Sequence, residues 1–308
     1  MERESFIYKP KIVVIGSCNT DMVVKAGRLP VPGETVLGGT FYMNPGGKGA
    51  NQAIAAARLG AEVTLISKIG YDLFGLQALE IYRSEKINTE FIFTDQKSPS
   101  GVALISVDSY GENSIIVAPG ASRSLSTEDI DKAKSELEEA DIILMQLEVP
   151  IETVEYAATI AKSYGKKVIL NPAPASVLSN SFLSCVHTIL PNRIEAEMLS
   201  GIKVIDEESA WRAAKAIGEK GIENVVITLG KDGAYVKEKE EYTMIPAKEV
   251  ETIDTTGAGD VFCGAFSAYL SENHTLTESV EFANAAAALA VTRMGAQSAI
   301  PYKREIAL

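Results

Sequence analysis

The chain has 308 residues, 46% hydrophobic and 23% charged, a globular profile long enough for one large core. Its formal net charge of -12 argues against nucleic acid or an anionic membrane as partner, because both call for clustered Lys and Arg. A local phosphate site stays open, since backbone N–H groups and a metal ion can hold phosphate without a basic surface.

The N-terminal stretch MERESFIYKP is charged and lacks the apolar core of a signal peptide. No apolar run reaches the roughly 20 residues that span a bilayer. Cys18, Cys185 and Cys263 are odd in number and widely spaced. They fit neither a disulfide framework nor a zinc knuckle, and point to a reducing cytosol.

Short runs rich in Val and Ile predict buried strands at Ile12–Ile15, Val63–Ile69, Ile142–Leu147, Val168–Leu170, Thr188–Leu190 and Val225–Leu229. Between them, helical patterns cover Ala50–Leu59, Gly75–Glu85, Thr127–Glu139, Ile151–Ser163, Glu208–Lys220, Asp260–Leu270 and Glu278–Arg293. The alternation predicts an α/β fold, a mostly parallel sheet with helices on both faces. Two regions break it. Asp21–Thr40 reads as extended chain around the turn Leu29-Pro-Val-Pro-Gly-Glu34, and Gly101–Val107 with Asn113–Ala118 as a hairpin through Ser109-Tyr-Gly111. Together they make a candidate small sheet. No repeat or linker divides residues 1–308, which read as one domain.

The strongest motif is Asp254-Thr-Thr-Gly-Ala-Gly-Asp260, followed by a segment apolar at 261, 262, 265, 266, 269 and 270. Glycines before a helix leave its first N–H groups free and admit a phosphate to the backbone. Gly257, Ala258 and Gly259 are therefore a candidate anion hole at the positive end of a helix dipole. Asp260 beside it is a candidate general base for an attacking hydroxyl. By itself an Asp at this point is an ordinary N-cap; the two glycines and the upstream Asp254 favour the chemical reading. The motif is not a P-loop, because no Lys-Ser or Lys-Thr follows the last glycine. Gly16-Ser-Cys-Asn-Thr-Asp21 is not a dinucleotide fingerprint either.

A second glycine run, Asn44-Pro-Gly-Gly-Lys-Gly-Ala-Asn51, leads into a helix. Lys48 and Asn51 carry polar groups there, Asn19 and Asp21 follow the first strand, and Glu148 ends another. Amides and carboxylates gathered at strand ends suit the hydroxyls of a sugar. His187 and His274 have no partners at ligand spacing, Trp211 reads as packing, and Lys237–Glu241 as a solvated hairpin. Cys18 and Cys263 read as small buried hydrophobes, with Cys263 a spot open to oxidation.

Together the two motifs resemble the ribokinase/PfkB carbohydrate kinase family. Gly46-Gly-Lys-Gly-Ala-Asn51 matches its first signature and Asp254–Asp260 its second. Met145-Gln-Leu-Glu148, Leu190-Pro-Asn-Arg-Ile-Glu-Ala-Glu197, Thr228-Leu-Gly-Lys-Asp-Gly233 and Val291–Gln297 extend the likeness from Lys11 to Pro301. The resemblance implies a three-layer fold with a β-sheet lid from segments 21–40 and 101–118. It implies transfer of the ATP γ-phosphate to the 5-hydroxyl of D-ribose, with Asp260 as base. The sugar would meet Asn19, Asp21, Gly47, Lys48, Gly49, Asn51, Glu148 and Asp260. The nucleotide would meet Asn192, Thr228, Leu229, Gly230, Lys231, Asp232, Gly233, Gly259 and Asn284. Mg²⁺ would ride on the phosphates with Glu195 ordering its waters. K⁺ would use Asp254, Thr256 and the backbone oxygens of Ala290, Arg293 and Gly295. Ala299 stands near where the family often has a serine ligand, and Ser298 is displaced from it by one. The lids of two subunits would clasp as a homodimer. Deoxyribose, fructose, a ketodeoxy sugar acid or a nucleoside are alternative substrates within the family, and a non-catalytic sugar sensor is the alternative outside it.

Overall fold

A computed structural model describes residues 9–110 and 112–307. In chain order the elements are β1 (Lys11–Ile15), β2 (Asn19–Lys25), β3 (Thr40–Gly46), α1 (Lys48–Arg58), β4 (Glu62–Gly70), α2 (Leu73–Ser84), β5 (Ile92–Asp95), β6 (Gly101–Val107) and β7 (Asn113–Ala118). There follow α3 (Thr127–Lys132), α4 (Lys134–Glu139), β8 (Ile142–Met145), α5 (Ile151–Ser163), β9 (Lys167–Leu170), α6 (Asn180–Leu183), β10 (Thr188–Ile189), α7 (Arg193–Ser200) and α8 (Glu207–Gly218). The chain closes with β11 (Asn224–Thr228), β12 (Ala234–Glu238), β13 (Glu241–Ile245), α9 (Ala258–Ser271) and α10 (Leu276–Ala290).

Among the described residues the main sheet has nine strands in the order β13-β12-β11-β10-β9-β8-β1-β4-β5. From β5 to β11 neighbouring strands pair in parallel; β12 and β13 add an antiparallel edge. Alternation along β1 sorts the two faces, as the pleat requires. Ile12 and Val14 pack with α1, α9 and α10, whereas Val13 and Ile15 pack with α3, α4, α5 and α8. Each layer of helices thus buries one stripe against the sheet.

Caps start the helices where the sequence supplies them. Asn192 with Glu195, Asp206 with Ser209, and Thr275 with Glu278 form reciprocal capping boxes. The expected helix Thr127–Glu139 is broken at Ala133 (φ -101°, ψ 11°). Ile130, Ala133 and Leu137 are all buried there, so packing overrides a helix-favouring sequence. The strand expected over Ile142–Leu147 ends at Met145, which puts Glu148 three residues beyond it in a turn. Helix α9 begins at Ala258, not at Asp260. Gly257 (φ 75°) takes the cap position, so Asp260 lies inside the first turn and its side chain is free of capping.

A four-stranded sheet in the order β3-β2-β6-β7 stands beside the main one. Strand β2 pairs antiparallel with β3 and parallel with β6, Asp21 lying opposite Asn44 and Ala103. The predicted hairpin has its predicted bounds; Gly111 at its tip lies outside the described residues. One face of this sheet bears Asn19 and Asp21. The opposite face bears Val24, Phe41, Met43, Leu104 and Ile116, all exposed.

Candidate active site

The floor of the site is made where backbones touch. A Cβ on Gly49, in the first turn of α1, would lie 2.6 Å from the carbonyl carbon of Gly16 after β1. Only glycines allow that approach. It brings the N-terminus of α1 to the strand ends, where the Lys48 N–H donates to Glu148 Oε2 at 3.0 Å. The Ser17 hydroxyl donates to the same oxygen. Glu148 therefore caps α1 without being its N-cap residue.

On the far side, a Cβ on Gly264 of α9 would come within 2.5 Å of the Ala55 side chain of α1. That contact lets two side chains of α1 reach Asp260. Asn51 Nδ2 donates to Asp260 Oδ2 at 2.9 Å, and Gln52 Nε2 to Asp260 Oδ1 at 3.0 Å. Asp260 is 7% exposed and lines a cleft of about 230 Å³ with Lys48, Asn192, Glu195, Thr228 and Gly259. At the start of α9, the Ala258 N–H reaches the Thr255 carbonyl and the Val261 N–H the Gly257 carbonyl. Among the described residues the N–H groups of Gly257, Gly259 and Asp260 have no protein acceptor. A Cβ on Gly259 would meet nothing within 4 Å. Of the three residues expected to form an anion hole, two therefore offer free donors, Asp260 adds a third, and Ala258 is occupied.

The expected sugar contacts converge from the other side. The Asp21 carboxylate lies against Gly46, and Gly47 (φ 91°) brings its backbone against Asn19. Asn19 Oδ1 is buried with no hydrogen-bond partner, an acceptor suited to a ligand hydroxyl. Burial, then the nearby Glu148 and Asp260, push the Asp21 carboxyl up to about 6. Asp260 above all, with Glu148 and Glu195, holds the Lys48 ammonium above its usual range against the opposing effect of burial. Carboxylates thus outnumber cations here.

Asn192 bridges to Thr228 beside the cleft. Burial raises the Glu195 carboxyl despite the Asn192 donors that it accepts. Leu229, Gly230, Lys231 and Asp232 turn away from β11 to Gly233, whose φ of 102° and approach to the Ile245 carbonyl demand glycine. Asp232 is paired with Arg193 at 2.6 Å. Asn284 donates to the carbonyls of Ile245 and Pro246, so its amide is tied to the end of β13.

Asp254 accepts from the Thr256 N–H and hydroxyl and from the Gly295 N–H, 2.7–2.9 Å away. Although burial opposes them, these donors bring its carboxyl below the usual range. Ile253 and Asp254 donate to the Val291 carbonyl, fastening this segment to the loop that carries Arg293 and Gly295 after Ala290. The Arg293 side chain turns away to Glu305. Ala299 is buried, and the Ser298 hydroxyl donates to the Met294 carbonyl. Cys263 lines the cleft, but its thiol is buried, which pushes it well above the ordinary value. That is the environment of an inert thiol, contrary to an oxidation-sensitive spot. Trp211 packs edge-on against Tyr242 and His274 stacks on Tyr269.

The sequence reading missed Gln52, Gln146, Asn171 and Gln297, all buried around Asp260. A glutamine in the alanine-rich run of α1, and another amid Ile142–Leu147, were the available signals, since a polar residue in an apolar pattern asks for a partner.

The model of the pfkB family carbohydrate kinases matches residues 9–303. The chain belongs to that family. It is 46% identical to a ribokinase of Haemophilus influenzae, with 96% of each chain covered. It is 38% identical to a deoxyribokinase of Salmonella typhi, over 94% of this chain and 95% of that one. A structure of Arabidopsis thaliana ribokinase complexed with ribose and ATP superposes with a TM-score of 0.89 at 30% identity, covering 96% and 97%.

Proposed function

We propose that this sugar kinase transfers the γ-phosphoryl group of ATP to the 5-hydroxyl of D-ribose. The observation that carries the mechanism is the position of Asp260. Its carboxylate shares one cleft with Lys48, Gly257 and Gly259 and interacts with Asp21 and Lys48. A sugar held by Asn19, Asp21, Gly47, Lys48, Gly49, Asn51 and Glu148 would present one hydroxyl to Asp260, which takes its proton. The N–H groups of Gly257, Gly259 and Asp260 would meet the negative charge that develops during transfer. The ribokinase relatives favour ribose, and the orphan acceptor on Asn19 suits a hydroxyl donor.

The nucleotide would lie along Asn192, Thr228–Gly233 and Asn284, with its phosphates toward Gly259. The surplus of carboxylates over lysine fits a divalent ion, Mg²⁺, arriving with ATP; it would offset phosphate charge, with Glu195 ordering its waters. The oxygen-rich loop of Asp254, Thr256, Ala290, Arg293, Gly295 and Ala299 fits a monovalent ion such as K⁺, whose charge would steady the neighbouring glycine turn. The four-stranded sheet acts as a lid that keeps water from the transfer. Its exposed apolar face fits a second copy of the chain, giving a homodimer. Among the described residues no helix is long and apolar enough to cross a membrane. The free cysteines Cys18, Cys185 and Cys263 fit a reducing compartment such as the cytoplasm.

The test is ADP release with D-ribose, 2-deoxyribose, fructose or no sugar, in potassium and in tetramethylammonium. The expected result is fastest release with ribose in potassium. Equal or better turnover of deoxyribose would overturn the ribose assignment, and equal rates in both cations would remove the potassium site.

A further inference from the structure

Asp260 is held by amides that are themselves held. Gln52 is fully buried, and its Nε2 donates to Asn171 Oδ1 at 3.0 Å as well as to Asp260. Its Oε1 accepts from Gln146 Nε2 at 2.7 Å. Asn51, the donor to the other carboxylate oxygen, accepts on Oδ1 from Gln297 Nε2 at 3.0 Å. Asn171 in turn donates to the Leu190 carbonyl at 3.0 Å. The members come from α1, from the residues just after β8 and β9, and from the loop after α10.

This arrangement has a specific consequence. A primary amide has one acceptor end and one donor end. Gln146 and Gln297 fill the acceptor ends of Gln52 and Asn51, and the Asp260 carboxylate, which only accepts, takes their donor ends. Each carboxylate oxygen then has a fixed N–H partner, and the open approach is from the cleft. Neutral amides suit this role because they can neither take the proton nor cancel the charge, as an arginine would. The charged groups around the frame are Lys48, Asp21, Glu148 and Glu195, with the Cys263 thiol on α9 itself.

We propose that Gln52, Gln146 and Gln297 are positioning residues for phosphoryl transfer, a buried amide frame that aims the Asp260 carboxylate at the bound hydroxyl. The proposal rests on the reading of Asp260 as the base and assigns residues that never touch sugar or nucleotide. A carboxylate misaimed by an ångström costs far more in turnover than in binding.

Gln52→Met keeps the length of the side chain and removes its donors and acceptor; Gln297→Met acts one step away, through Asn51. Both full-length variants are to be crystallised and their kcat and KM measured. In Gln52→Met, Asp260 should swing off its present rotamer, and kcat should fall about 10- to 100-fold with both KM values within about threefold. Gln297→Met should move kcat the same way by less and serves alone if Gln52→Met does not fold. An Asp260 carboxylate unmoved in both variants, with parental kcat, overturns the frame, as does a loss carried by KM alone. If the parent phosphorylates no sugar, the function proposed above fails, and the orientation of Asp260 in the crystals still decides the frame.

Discussion

Where α1 meets β1 and α9, glycines bring backbone against backbone and the buried polar side chains hold one another around a single carboxylate. On the four-stranded sheet, by contrast, Phe41 is 59% and Ile116 68% exposed, and only Asn19 and Asp21 carry its chemistry inward. In the first region most shifts would break a buried hydrogen bond or force a clash between backbones. The second leaves an apolar face exposed and meets the first where Asn19 and Asp21 lie against Gly47 and Gly46. On the function proposed above, precision of transfer would belong to the floor, and access, assembly and part of the choice of sugar to the sheet above it.

The sharpest way to break this division is at the floor. Asp260→Asn should lower kcat by about 10²- to 10⁴-fold while leaving ribose binding measurable by calorimetry. Near-parental turnover would take Asp260 out of the mechanism. Next in size is stability. Gly49→Ala places a Cβ 2.6 Å from backbone and should destabilise the fold by about 1–3 kcal/mol in denaturant titration. Gly259→Ala, whose Cβ meets open space, should leave stability within about 0.5 kcal/mol of the parent. Equal losses would mean that close approach is not what holds the floor.

The sheet should respond more gently. Burial raises the Asp21 carboxyl to about 6, so it is ionised at pH 7 and protonated at pH 5. If the ionised form accepts sugar hydroxyls, KM for ribose should rise roughly tenfold as pH falls through this range, and Asp21→Asn should flatten the profile. The linkage to stability has the opposite sense. A raised carboxyl favours the folded state below its unfolded value, and that contribution fades as pH rises through about 6. A flat KM in the parent would detach Asp21 from the sugar. Smallest of all in turnover, Ile116→Asp should change kcat less than about twofold and stability within about 0.5 kcal/mol, yet convert a dimer to a monomer in light scattering. A parent already monomeric would remove the assembly role.

Much of this plan was legible in the sequence. Runs of Val and Ile gave the six central strands because strands buried on both faces need continuous apolar residues. The two glycine motifs marked the floor because only glycine permits the turns at Gly47 and Gly257. The bounds of β6 and β7 could be read as well, from turn residues between two apolar runs. The parallel pairing of β2 with β6 could not be read, since it joins segments separated by β3, α1, β4, α2 and β5. The charge run Lys237–Glu241 was anticipated as a solvated hairpin, and it is the turn of β12–β13, but the bounds of those two strands were not read, because an edge needs less apolar surface to declare itself. The amide frame escaped for a different reason. Each glutamine has an apolar setting of its own, and their meeting joins α1, the end of β8 and the loop after α10, which no local pattern encodes.

The pairing of β2 with β6 sets a limit on inheritance. Two strands of the small sheet are drawn from the chain before α1 and two from after β5, and Asn19 sits against the floor at Gly47. No single cut releases that sheet, and no single insertion could have added it. A change of sugar that runs through this sheet must then be written by substitution, strand by strand, in a module that cannot be exchanged whole, while Lys48, Asn51 and Glu148 stay with the floor.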